Sequence, residues 1–123
     1  MMTWLAKTIR SERRALERAR RRFIAKPSEK RLHEVRTTGR RFRSLLEDVA
    51  ELAPSARLLR RVKRAAAATD AARDATIILR LLQTSVDPSE LLVATPLLRE
   101  LRRHEALATR RARKQLRRMR FAS

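Results

Sequence analysis

Apolar residues return at intervals of three and four along most of this chain, and the series restarts at three breaks. Met2, Leu5, Ile9, Leu16, Ala19 and Phe23 form the first series, and Leu32, Val35, Gly39, Phe42, Leu46 and Val49 the second. Leu58, Val62, Ala65, Ala72, Leu79 and Leu82 form the third, and Leu97, Leu101, Ala108, Ala112 and Met119 the fourth. Side chains spaced in this way share one face of a helix, so each series is the apolar stripe of an amphipathic helix. The breaks are Lys26-Pro27-Ser28, Ala53-Pro54-Ser55 and the stretch from Val86 to Pro96, which holds two prolines. Helices are therefore predicted over roughly 3–25, 28–52, 55–84 and 89–121. Asp87-Pro88 fits a helix cap with proline at the first helical position, whereas Ser28 with Arg31 three residues later is only a partial cap signal. The expected fold is all-α: an antiparallel four-helix bundle, or pair of helical hairpins, forming one domain over residues 1–123.

Composition supports helices and limits the core. Ala, Leu, Arg and Glu are good helix formers, and one Gly and four Pro leave little material for turns. Charged residues make up 37% of the chain and only three Phe and one Trp are present, so the core must be thin. With no Cys there are no disulfides and no thiolate metal sites. The N-terminal stretch has no apolar run of signal-peptide length, and nothing approaches a membrane span, so a soluble cytoplasmic protein is expected.

Charge changes the picture most. Against 13 acidic residues stand 32 basic ones, of which 27 are Arg, for a net charge of +19. Such a chain repels itself unless a polyanion or salt neutralises it. Nucleic acid, an anionic membrane and inorganic polyphosphate all qualify as partners. Arg's planar fork suits phosphate oxygens in particular, although a GC-rich genome would also enrich Arg. Residues 1–64 carry a net +13 and residues 99–123 a net +8, but residues 65–98 carry −2. The second half of the third helix, rich in Ala and Ile, is expected to pack against its neighbours or a partner.

The second helix carries the candidate chemistry. At 100° per residue, His33, Arg36, Arg40 and Arg43 fall in one sector about 80° wide along roughly 15 Å of helix, away from the apolar stripe. A row of guanidiniums at that pitch can follow a chain of phosphates, and like charges at these spacings repel one another when unneutralised. A solvated charged face would give the same pattern. On the third helix, Arg73-Asp74 sits among apolar residues. Asp74 is expected to hold one of the helix-two arginines in place, or else to form a surface ion pair of little consequence. The fourth helix places Arg110, Arg113, Lys114 and Arg117, with Arg99, Arg102 and Arg103, opposite its stripe. These form either a second phosphate-binding rail or a solvated face.

His33-x-x-Arg36 followed by Arg40-Arg41-Phe42-Arg43, then Arg73-Asp74 some thirty residues on, resembles the CHAD domain, the conserved histidine α-helical domain. The likeness is close over about residues 28–84 and extends to the other helices by layout only. It implies an antiparallel helical fold that binds inorganic polyphosphate, with basic side chains lining a groove. The matching positions are His33, Arg36, Arg40, Arg41, Arg43 and Arg73, with Asp74 as their support. Thr37 stands where the family usually has Val, and Thr69-Asp70 replaces Leu-Gly. The usual domain holds two such repeats and this chain has room for one, so a two-fold homodimer is expected to complete the surface.

Other functions fit less well. Stacking of single-stranded bases needs exposed aromatics, and Trp4, Phe23, Phe42 and Phe121 fall mostly on or near apolar stripes. Non-sequence-specific nucleic-acid binding remains the alternative, because it shares the electrostatics. Phosphoryl transfer needs metal-binding carboxylates or a phosphate-cradling Gly loop. The acids are scattered and the single Gly39 lies within a helix, so no enzyme, metal or cofactor is expected. A place at polyphosphate granules is compatible with the family likeness.

Overall fold

The computed structural model describes residues 2–52 and 55–122. Four α-helices account for nearly all of them: α1 (Met2–Ala25), α2 (Glu29–Asp48), α3 (Ala56–Ser85) and α4 (Leu91–Arg117), with a short 3-10 turn at Pro88–Glu90 before α4. The predicted break at Ala53-Pro54 and the side chain of Met2 fall outside the described residues.

Each helix packs on the next and α1 closes against α4, whereas α1 and α3, like α2 and α4, make no close approach. One core results, built from Leu16 and Phe23 of α1, Phe42 and Leu46 of α2, Val62 and Ala72 of α3, and Ala112 and Leu116 of α4. Packed between α2 and α4, α3 buries mostly small residues (Ala65, Ala72 and Ala75), which let its neighbours come close. Ser28 is a full cap: its hydroxyl accepts the N–H of Arg31 at 3.1 Å. By contrast, Asp87 makes no side-chain cap bond, and Pro88 opens a 3-10 turn that precedes the α-helix.

The structure corrects three expectations about the stripes. Leu97 is exposed and Leu98 buried, because the buried face of α4 is centred on Leu98, Ala112 and Leu116 rather than on Leu97 and Leu101. Trp4 is 62% exposed and covers nothing, while all three Phe are fully buried. Finally, α2 ends at Asp48 instead of running to residue 52; Leu52 beyond it is exposed, so a longer helix would bury no further apolar surface.

The C-terminal end is fixed by a cluster inside the bundle. Glu17 is 3% exposed and Arg20 7%. Arg20 donates to both carboxylate oxygens of Glu17 at 2.9 Å, and Arg21 donates to one at 2.7 Å. The same carboxylate accepts the N–H of Phe121 at 2.9 Å, while Arg13 donates to the Phe121 carbonyl. Burial pushes the Glu17 carboxyl up, but hydrogen bonds from Arg20, Phe121 and Arg21 outweigh it and hold the group at about 2, against an ordinary 4.5. Helix ends are satisfied across the bundle as well. Arg20 donates to the Leu116 carbonyl at the end of α4, and Arg113 donates to the Ile24 carbonyl at the end of α1.

Candidate polyanion-binding site

The α2 stripe that faces the core leaves His33, Arg36, Arg40 and Arg43 on the flank nearest α3. Opposite them α3 presents Ala66, Asp70 and Arg73, and Gly39 and Ala66, with little or no side chain, leave space between the two rows. The result is a groove of about 410 Å³ lined by His33, Arg36, Thr37, Arg40, Arg43, Asp70 and Arg73. His33, Arg36 and Arg73 also line a second cavity of about 760 Å³ that runs on towards Ser28 at the start of α2. Two helices thus wall one trough.

Arg36 is the most firmly placed cation in it. Its Nη1 donates to Asp70 Oδ1 at 2.8 Å, to Thr69 Oγ1 at 2.7 Å and to the Ala66 carbonyl at 3.3 Å. Thr69 is fully buried, and its hydroxyl donates in turn to the Ala66 carbonyl at 2.9 Å. All three contacts use the same nitrogen, which leaves the Nε and Nη2 donors of Arg36 for a ligand. Asp70 and Thr69 are the residues that replace the family's usual Leu-Gly, and they hold the guanidinium. A signal for them existed in the sequence: Thr69 lies four after Ala65 and three before Ala72, a polar residue on an apolar stripe that needs a partner.

Asp74 therefore does not do what was expected of it. Its carboxylate accepts from Arg73 on its own helix, at 2.9 and 3.1 Å, and touches no helix-two arginine, because Asp70 lies one turn closer to Arg36. The other wall residues are held more loosely. Arg43 pairs with Glu47 at 2.7 Å along α2, and that bond lowers the Glu47 carboxyl below its ordinary value. Arg40 has no partner among the described residues. Thr37 Oγ1 lies 3.3 Å from His33 Nε2, one turn away on the same helix.

The remaining predicted residues lie elsewhere. Arg41 points to the opposite side of α2, where it lines a separate groove of about 300 Å³ against α1. Arg110, Lys114 and Arg117 are exposed on α4, no residue of which lines either cavity of the trough. Arg113 is half-buried and bound to Ile24, since it lies at the edge of the buried face.

A protein-family model described as the CHAD domain matches residues 5–123, from the first turn of α1 to the C-terminal residue. The chain belongs to the CHAD domain family. CHAD domains as a class bind polyphosphate and are binding modules rather than catalytic ones. No curated protein and no solved structure shows significant similarity to the chain. In this CHAD domain the histidine motif, His33-x-x-Arg36, lies on one wall of the trough, with Arg73 on the other. Among the described residues no cluster of His, Cys, Asp or Glu could hold a metal ion, and no helix is long and apolar enough to cross a membrane.

Proposed function

We propose that this chain binds inorganic polyphosphate in the trough between α2 and α3, through His33, Arg36, Arg40, Arg43 and Arg73. The observation that carries the reading is the placement of Arg36. A guanidinium held through one nitrogen by a carboxylate, a buried hydroxyl and a carbonyl is already ordered before a ligand arrives. Charge-assisted bonds from such a group to phosphate oxygens are short and directional, and little rotamer entropy is lost in making them. A groove of about 410 Å³ over the contact of two helices can take one flexible chain of phosphates but no duplex. The chain works as a soluble cytoplasmic module, without catalysis of its own, that targets to or organises polyphosphate granules.

It does so as a homodimer. Glu29, the first residue of α2, pairs with Arg80, so α3 and α4 run on past the α1–α2 turn as a bare hairpin. Ile77, Ile78 and Leu81 of α3 and Leu91, Val93 and Leu97 of α4 are exposed there, with Leu92 at 88%. In a chain of net +19, this apolar hairpin falls in the one stretch of net negative charge, where a second copy is repelled least.

Competition between long-chain polyphosphate and duplex DNA, at matched phosphate and physiological salt, tests the ligand. Polyphosphate should win; equal or tighter binding of DNA would favour a nucleic-acid protein, since both ligands share the long-range electrostatics. Light scattering of the same samples should give twice the chain mass, and a monomer with and without polyphosphate contradicts the dimer.

A further inference from the structure

The outward face of α1 differs from an ordinary solvated helix face. Lys7, Arg10, Arg14 and Arg18 follow one another there at intervals of three and four residues, over roughly 16 Å of helix. None of the four has a carboxylate partner among the described residues. Neither acid of α1 pairs with them: Glu17 is buried on Arg20, and Glu12 keeps one carboxylate oxygen buried. Exposed helix faces ordinarily interleave both signs, since like charges three and four apart repel. In the α2–α3 trough the opposite holds: Arg36, Arg43 and Arg73 each have a carboxylate beside them.

The row also leads somewhere. Arg18 lines the α1–α2 groove together with Arg22, Arg41 and His33, over a floor of Ala15 and Ala19. Its one acid, Glu34, lies 3.8 Å from Arg22. His33 and Thr37 line both this groove and the α2–α3 trough, so the two lie side by side with only these side chains of α2 between them.

We infer that the outer row of α1 and the α1–α2 groove form a second track, along which a polyphosphate chain too long for the trough continues. This rests on the polyphosphate reading above. The two tracks divide the work. In the trough, preorganised arginines grip a short stretch of phosphates. Along α1, unpaired cations release counterions over a longer one and give long chains their extra affinity.

The test compares tripolyphosphate with long-chain polyphosphate, each titrated over a range of salt into the intact protein and into a variant with Arg10, Arg14 and Arg18 changed to Gln. All three side chains are outside the core, and circular dichroism checks the fold. Tripolyphosphate affinity should stay within about twofold in the variant, whereas long-chain affinity should fall roughly tenfold or more. The slope of log affinity on log salt for the long chain should drop by about two, the value for three fewer phosphate contacts on a flexible strand. An unchanged slope and affinity for the long chain would overturn the second track. So would an equal loss for both ligands, which marks a diffuse coat. Failure of the underlying reading has a different signature, in which the unaltered protein prefers duplex DNA.

Discussion

Two arginine clusters in this molecule put the same side chain to opposite uses. Around Glu17, Arg20 is buried and its contacts, with those of Arg13 and Arg21, are made within the chain, to the carboxylate and to backbone carbonyls. Along the α2–α3 trough, Arg36 is held at one nitrogen only and Arg40 at none. The first cluster joins α1 to the end of α4 and closes the bundle. The second leaves guanidinium donors without a partner among the described residues, in a groove between two helices. The two clusters differ in whether the guanidinium donors are used up within the chain, and charge alone does not distinguish them.

Breaking the first cluster should have the largest effect. Glu17→Gln leaves Arg20 buried without its counter-charge, and removing one partner of a buried pair costs roughly 3–5 kcal/mol. Thermal or urea unfolding should show that loss, while the folded fraction keeps its affinity for polyphosphate. The effect depends on pH in a definite direction. Because the folded Glu17 carboxyl lies at about 2, below its ordinary 4.5, its contribution is complete above 4.5 and disappears as pH falls towards 2. The stability gap between the parent protein and Glu17→Gln should therefore close over that window. A gap that stays constant down to pH 2 would mean that the carboxylate is not what secures the C-terminal end.

Asp70→Asn comes next, and here the sign is informative. It makes the protein more basic, so a purely electrostatic surface would bind polyphosphate more tightly. If Asp70 holds Arg36 in position, binding weakens instead, by several-fold to about tenfold, because Asn keeps an acceptor but makes a weaker bond than the carboxylate, by about 1 kcal/mol. The smallest effect belongs to Asp74→Asn, which makes the same change in charge. Its pair with Arg73 is exposed, and such pairs contribute about 0–1 kcal/mol. Titration of polyphosphate into the two variants separates position from charge; a gain in affinity from both would favour charge alone.

How much of this could be read from the sequence follows from how local each feature is. The α2 row was legible because His33, Arg36, Arg40 and Arg43 lie on one helix whose stripe is regular, and position on a helix face follows from spacing. The helix that would oppose it, and the acid that would hold Arg36, depend on the register between α2 and α3. Spacing along one helix does not set that register, so it cannot tell Asp74 from Asp70, one turn away, which makes the contact. The Glu17 cluster was harder still, since its partner Phe121 lies 104 residues away. A lone acid in the basic run from Arg13 to Arg22 was the available hint. On α4, Leu97 and Leu98 are adjacent leucines, and only packing against α3 decides which of them turns inward.

If geometry, and not the amount of charge, makes the α2–α3 trough the binding site, removing the same charge from two faces should have unequal effects. Two triple variants test it most directly: Arg36, Arg40 and Arg43 to Gln on α2, and Arg110, Lys114 and Arg117 to Gln on α4. Each removes three positive charges, and each is titrated with the same polyphosphate at physiological salt. The trough triple gives up charge-assisted bonds of roughly 1.5–3 kcal/mol apiece, so affinity should fall about a thousandfold or more. The α4 triple gives up exposed contacts of about 0–1 kcal/mol each and should lose only several-fold. Equal losses from the two triples would contradict this and reduce the trough to one part of a uniform basic surface.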